Sequence, residues 1–297
     1  MQVGVIGLGN IGGGVAANLA ADGHAVLVLD RDPARSAPLA ALGATVTADP
    51  AAVARSAEIT FLSLPTPSIV DSVAAAWLTG AERGSILVDL STNAPASIRA
   101  LGARVGAGGC HLLEAPVTGG APGAQARKLV FIVGGDAEVY QRVRPLFERL
   151  GRASFHMGPL GAGNTAKLVN SLIAFTTTWV SLEGLSLAAA AGIELRTIID
   201  VVRTGGASNF YVDRVVDGLD RRGRPPQFTI ELAAKDAALV TDLANELGVP
   251  APIAARIASG LAAATEGGLG ARDWSDLVEW IERQSGRRLT LGKDQAG

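Results

Sequence analysis

The chain has 297 residues, 48% hydrophobic and 18% charged, with 26 Lys and Arg against 28 Asp and Glu and a formal charge of −2. This composition is globular rather than disordered, suffices for two domains of about 150 residues, and gives no global basic surface for nucleic acid or an anionic membrane. The single cysteine, Cys110, excludes an intrachain disulfide and a cysteine-rich zinc knot, so a soluble cytoplasmic protein is expected.

In chain order, compact apolar runs predict strands at 3–6, 25–29, 59–64, 86–90, 110–114 and 129–133. Helical patterns fall between them at 11–21, 67–77, 95–105 and 136–150. Helix-sized returns between short strands favour a parallel α/β sheet. The pattern changes near residue 160, where Gly161, Gly163 and Asn164 mark a turn before an almost uninterrupted helical stretch at 165–191 that stops at Gly192. Further helices are predicted at 195–202, 211–219, 229–247, 252–261 and 274–285. With the G-x-G-x-x-G of Gly7, Gly9 and Gly12 between the first strand and the first helix, the expected organisation is a Rossmann-like dinucleotide-binding domain at 1–162, then a long interdomain helix and an all-helical domain at 163–297. The apolar stretch 182–193 is interrupted by Glu183 and too short for a membrane span. The segment from Arg287 to Gly297 reads as a surface tail or as an arm on a partner subunit.

Gly7, Gly9 and Gly12 form G-x-G-x-x-G between the first strand and the first helix. The first glycine suits the tight turn, the second leaves room for a pyrophosphate and the third lets helix and sheet approach, while the helix N-terminus offers amides to phosphate oxygens. The second strand ends at Asp30, 23 residues after Gly7, about where a carboxylate meets the adenosine ribose. Asp30 would accept ribose hydroxyls and repel a 2′-phosphate, so NAD is preferred. NADP stays open because the Arg31 guanidinium either attracts that phosphate or faces solvent.

The sequence as a whole resembles the β-hydroxyacid dehydrogenase family, which includes 3-hydroxyisobutyrate dehydrogenases and tartronate semialdehyde reductases. The resemblance rests on GLGNIGGGVAANL at 7–19, LSLPTP at 62–67, VDLST at 88–92, EAPVTGG at 114–120, GAGNTAKLVNS at 161–171 and KDAAL at 235–239. It implies reversible hydride transfer between a nicotinamide and the hydroxyl-bearing carbon of a small 3-hydroxycarboxylate or its semialdehyde. It also implies cofactor contacts from Gly7, Leu8, Gly9, Asn10, Ile11, Gly12, Asp30, Arg31, Leu64, Pro65, Thr92 and Lys235, the last beside Asp236. Lys167 matches the family's catalytic lysine and is expected to move the proton that accompanies the hydride. Thr118, Gly119 and Gly120 match the substrate-binding Ser-Gly-Gly element, the threonine keeping a hydroxyl for the carboxylate and adding a methyl group. The family's usual asparagine four residues after the lysine is replaced by Ser171, with Asn170 before it, so both are substrate-pocket candidates and the substrate does not transfer by name. A related imine or larger-carbonyl reductase is the alternative activity.

His24, His111 and His156 lack metal-ligand spacing, so no metal is expected. Arg127 and Lys128 either line an entrance for an acidic substrate or belong to a solvated loop. The expected partners are a small carboxylate and further copies of the chain, as a homodimer or homotetramer, because the long helix resembles an oligomer-forming architecture.

Overall fold

The computed structural model describes residues 1–220 and 222–291. Internal contacts divide the chain into two units, Met1–Leu168 and Val169–Gly297, the division falling inside one helix. In the first unit β1 (Gln2–Ile6), β2 (Ala25–Leu29), β3 (Thr45–Val46), β4 (Ile59–Leu62), β5 (Ile86–Asp89) and β6 (His111–Glu114) are parallel, in the order β3-β2-β1-β4-β5-β6. Helices α1 (Gly12–Ala21), α2 (Pro33–Ala41), α3 (Pro50–Ser56), α4 (Pro67–Leu78) and α5 (Pro95–Ala107) lie between the strands in sequence. The order reverses between β1 and β4, which puts the carboxyl ends of both beside a topological switch point.

Beyond β6 the sheet departs from the expected parallel pattern. After β7 (Val117–Thr118) and α6 (Gly120–Gln125), β8 (Leu129–Gly135) runs antiparallel to both β6 and β7. Only residues 119–128 separate β7 from β8, fewer than the dozen or so a parallel crossover needs. Following α7 (Ala137–Leu150), the edge strand β9 (Gly151–Gly158) pairs with β8 in parallel. Its alternately exposed residues carry no apolar run, which hides it from periodicity.

Alternation along the inner strands fills two cores. Val3, Val5, Ile59, Phe61, Ile86 and Val88 pack with Val15, Leu19, Val143 and Phe147 of α1 and α7. Ile6, Leu62 and Leu87 pack with Val53, Val70, Trp77, Ile98 and Leu101 of α3, α4 and α5. Each such side chain contributes roughly 1.5–3 kcal/mol on full burial, which makes the doubly covered sheet the rigid part of this unit. The 3.6-residue pattern does not reveal α2 or α3, but their starts are marked by Asp-Pro pairs. Asp32 accepts from the Ala34 amide at 3.0 Å and Asp49 from the Ala52 amide at 2.7 Å, each with proline at the first helical position.

The helix α8 (Ala162–Ala190) begins three residues before the predicted start. It is long and apolar enough, by length and composition, to cross a bilayer, but Phe175, Leu182 and Leu185 lie in the core of the second unit. There α8 continues into α9 (Leu195–Thr204), α10 (Phe210–Asp220), α11 (Ile230–Glu246), α12 (Pro252–Ala264) and α13 (Leu277–Ser285). The last helix starts later than predicted because Asp273 caps a tight turn at Trp274–Asp276. Arg222 grips Glu282 with two hydrogen bonds of 2.7 and 2.8 Å and also donates to the Leu289 carbonyl, and Leu289 is fully buried. Of the segment expected as a surface tail or a partner arm, Leu289 and Leu291 pack on the second unit's own core while Arg287 and Arg288 are exposed, and 292–297 lie outside the described residues.

Arg127 does neither of the things its sequence position suggests. It takes a positive φ of 57° and donates to the Asp22 carboxylate at 2.8 Å, the Arg149 carbonyl at 3.1 Å and the Asn18 carbonyl at 3.2 Å, while Arg149 reaches Asp22 at 3.1 Å. One guanidinium thus binds the carbonyl-rich C-terminal ends of α1 and α7. The hydrogen bonds from Arg127 and Arg149 hold the Asp22 carboxyl down from 3.8 to about 2. Arg127→Ala should lower stability by about 1–3 kcal/mol in urea unfolding, with Arg127→Gly falling less because it escapes the left-handed penalty. The Asp22 contribution is in force above about pH 4 and is lost as pH falls from 3.8 towards 2, so the stability gap between wild type and Asp22→Asn should close over that interval.

Candidate functional site

The carboxyl ends of β2, β1, β4 and β5 are neighbours in the sheet, and the turns leaving them bring together the first set of sequence candidates. After β1, Gly7 takes φ +88°, and a Cβ there would collide with the Ser63 carbonyl. A Cβ on Gly12 would collide with the Gly7 carbonyl, whereas a Cβ on Gly9 would meet only the tip of Arg35, at 3.4 Å. Packing therefore requires the first and third glycines, and the second leaves an open approach to the backbone, as a bound pyrophosphate needs. The helix α1 has no side-chain cap, in contrast to α2, α3, α4 and α7, so this turn leaves phosphate oxygens room at the helix amides.

Asp30, at the end of β2, accepts from the Leu8 amide at 2.7 Å and the Asp32 amide at 2.9 Å, which fixes its carboxylate beneath the glycine turn. A carboxylate accepts about four hydrogen bonds, so capacity remains for ribose hydroxyls. The cation nearest this carboxylate is Arg35, 3.9 Å away and also beside Gly9, while the side chain of Arg31 is exposed. Arg35 escaped the sequence reading, although its place three residues after the Asp32 cap turns it back over the start of α2. Leu64 leaves β4 next to Gly7, its amide held by the Ser91 hydroxyl at 3.0 Å. Pro65 is exposed, and Thr92, one residue beyond Ser91, is half-buried. These residues fit a dinucleotide, which would supply a hydride donor or acceptor at its nicotinamide.

A second group lies at the far side of the same edge. Thr118 ends β7, and Gly119 and Gly120 take φ of +116° and +62°, conformations that favour glycine and leave backbone amides uncovered by side chains. Near them β6 ends at Glu114, which has no exposed surface. Its carboxylate accepts from the amides of Gly161 at 2.5 Å, Gly163 at 3.0 Å and Asn164 at 3.0 Å, and from the Asn164 side chain. Burial pushes this carboxyl above its ordinary value, and the same hydrogen bonds oppose that rise. With the Ala162 amide on the Pro159 carbonyl and the Thr165 amide on the Gly161 carbonyl, every amide from 161 to 165 is accounted for.

The same asparagine continues the network. Its side-chain oxygen accepts from the Asn93 amide at 2.7 Å, the Asn93 side chain donates to Asp89 at 2.6 Å, and the Ser91 amide donates to Asp89 at 2.9 Å. Burial pushes the Asp89 carboxyl up to about 6. Gly134 is a glycine because the Glu114 carboxylate and the start of α8 occupy the space its Cβ would need, and Gly163 because the Ile132 carbonyl and Gly134 amide of β8 occupy the space of its own. Glu114, Asn164, Asn93 and Asp89 carried no expected chemical role, although Glu114, Asn164 and Asp89 stand inside the motifs EAPVTGG, GAGNTAK and VDLST. Polar residues at strand and helix ends were the available signal.

Lys167 follows one turn later, half-buried on α8 within the first unit. Asn170 and Ser171 continue the same helix in the second unit, the former half-buried and the latter 2% exposed. Lys235, also in the second unit, pairs with the buried Asp236 at 2.8 Å. His156, outside this set, has its ring nitrogen 2.8 Å from the Gly135 carbonyl and stacks on Tyr140.

Residues 2–158 match the NAD-binding domain of 6-phosphogluconate dehydrogenase, and 161–281 match the NAD-binding domain of NADP-dependent 3-hydroxyisobutyrate dehydrogenase. The mitochondrial 3-hydroxyisobutyrate dehydrogenase of Drosophila melanogaster is 30% identical over 95% of this chain and 90% of its own. The Mycobacterium tuberculosis 3-hydroxyisobutyrate dehydrogenase structure with L-serine superposes with a TM-score of 0.85 at 27% identity, covering 94% of this chain and 98% of that one. A Streptomyces aurantiacus imine reductase shares the fold, with a TM-score of 0.66 at 20% identity over 97% of this chain and all of the other. With the glycine turn, the Asp30 carboxylate beneath it and both halves of the chain agreeing, the protein is an NAD(P)-dependent oxidoreductase belonging to the 3-hydroxyisobutyrate dehydrogenase family.

Proposed function

We propose that this enzyme interconverts a small 3-hydroxycarboxylate and its semialdehyde, using NAD in preference to NADP. The observation that carries the reading is that the glycine turn, Thr92, the Thr118-Gly119-Gly120 element and Lys167 all belong to one unit built on one sheet. A nicotinamide bound at the glycine turn would supply or accept the hydride. Lys167 in its neutral form takes the hydroxyl proton during oxidation, and as an ammonium it returns that proton to the carbonyl oxygen during reduction. The Thr118 hydroxyl and the amides of Gly119 and Gly120 hold the carboxylate, so that the reacting carbon is aligned before hydride moves. Lys235, held by Asp236, serves the cofactor. Ser171 replaces a longer amide and selects among small acids, and the L-serine bound by the Mycobacterium tuberculosis relative makes serine-like acids part of the first panel.

In steady-state assays with 3-hydroxyisobutyrate, glycerate and serine, at least one should be oxidised, and Lys167→Ala should lose about 10²-fold or more in kcat while still binding NAD. Activity on imines without any on the matching semialdehydes would support the imine-reductase alternative instead. Cofactor preference rests on Asp30: kcat/KM should be higher with NAD than NADP, and Asp30→Ala should narrow the ratio. A wild-type preference for NADP would give Arg35 or Arg31 control of the 2′-phosphate.

We also propose a homodimer or homotetramer. Val169, Ile173, Val180 and Leu187 are 52%, 59%, 52% and 72% exposed, and at 100° per residue they fall within about 40° of one another, forming one apolar stripe along α8. Light scattering after size exclusion should give at least twice the 30.2 kDa chain mass, and Ile173→Lys with Leu187→Glu should shift it towards the monomer.

A further inference from the structure

We propose that Asn164, with Glu114 and Asn93, is a positioning residue that fixes Lys167 relative to the cofactor edge; this rests on the reading of Lys167 as the proton-transfer group. Asn164 has no exposed surface and uses both ends of its amide, accepting from the Asn93 backbone and donating to Glu114. It lies three residues before Lys167, and Asn93 lies one residue after Thr92. The Asn93–Asn164 hydrogen bond therefore ties the β5 end, where the nicotinamide contact is proposed, directly to the turn that carries the lysine. Apolar packing could hold the helix on the sheet, but it would permit small slides along the interface. Directional hydrogen bonds between buried groups admit one register, because any other leaves Glu114 and the helix amides unpaired. Side chains on a helix lean towards its N-terminus, so Lys167 reaches back over this anchored turn. A displacement of about 1 Å at a reacting group is enough to cost about 10²-fold in rate.

The test is a double-mutant cycle on the full chain, assayed with the acid that the wild type oxidises. Asn164→Ala should lower kcat by at least about tenfold while the NAD Kd stays within about threefold and thermal unfolding stays cooperative. In the Lys167→Ala background the same substitution should change the residual rate by less than about twofold, because a residue acting through the lysine has nothing left to position. A kcat within twofold of wild type for Asn164→Ala, or an equal loss in both backgrounds, overturns the proposal. If Asn164→Ala does not fold, Asn164→Asp replaces it: the new carboxyl group donates to Glu114 only when protonated, so its kcat relative to wild type should rise as pH falls. The charged groups facing that position are Glu114 from β6, Asp89 from β5 through Asn93, and Arg99 of α5 beside Gly161. A pH-independent ratio overturns the proposal. Normal turnover in Lys167→Ala would sink the reading of the lysine itself, whereas an inactive Lys167→Ala with a normal Asn164→Ala would sink only the positioning role.

Discussion

Glu114 has no solvent-exposed surface, and the geometry of the sheet's carboxyl edge follows from what burying a carboxylate requires. Its removal from water is costly unless donors replace the lost hydration. A helix start has the complementary problem, because its first amides have no partner within the helix. The Gly161, Gly163 and Asn164 amides meet the Glu114 oxygens, and each side removes the other's penalty. Bulk is then excluded on both sides: Gly134 on β8 and Gly163 on α8 leave no room for a side chain between strand and helix.

The opposite solution operates at α1. No side chain caps its first turn, and Gly9 keeps the approach to the backbone open while Gly7 and Gly12 are dictated by the protein's own packing. One helix start is thus satisfied internally and held rigid, and the other is left for an anion to satisfy. Both stand at carboxyl strand ends of the same sheet, which places a catalytic candidate and a cofactor turn on a common rigid base without requiring either to move.

Strand and helix order in the first unit was legible because parallel strands buried on both faces leave dense apolar runs, as in residues 25–29 and 86–90. Short elements were not: β3 has two residues, both exposed, and β9 pairs at an edge with no apolar period. The antiparallel return of β8 depends on the length of a connection rather than on any residue pattern. At the site, the glycine turn could be read from its motif because its conformation is local, and the role proposed for Lys167 rests on resemblance alone. Asn93 could not, because its meaning comes from a hydrogen bond to Asn164, 71 positions away. Arg127 shows the same limit from the other side: a basic residue in a loop suggests an acidic ligand, and only the three-dimensional neighbours reveal that its ligand is the protein's own Asp22 and two helix ends.

Replacing Glu114 by an apolar side chain would cost more than one contact: the Gly161, Gly163 and Asn164 amides and the Asn164 side chain would all lose the acceptor they share while staying shut away from water. The same four hydrogen bonds that make the carboxylate tolerable in the interior are what fix the first turn of α8 on the end of β6.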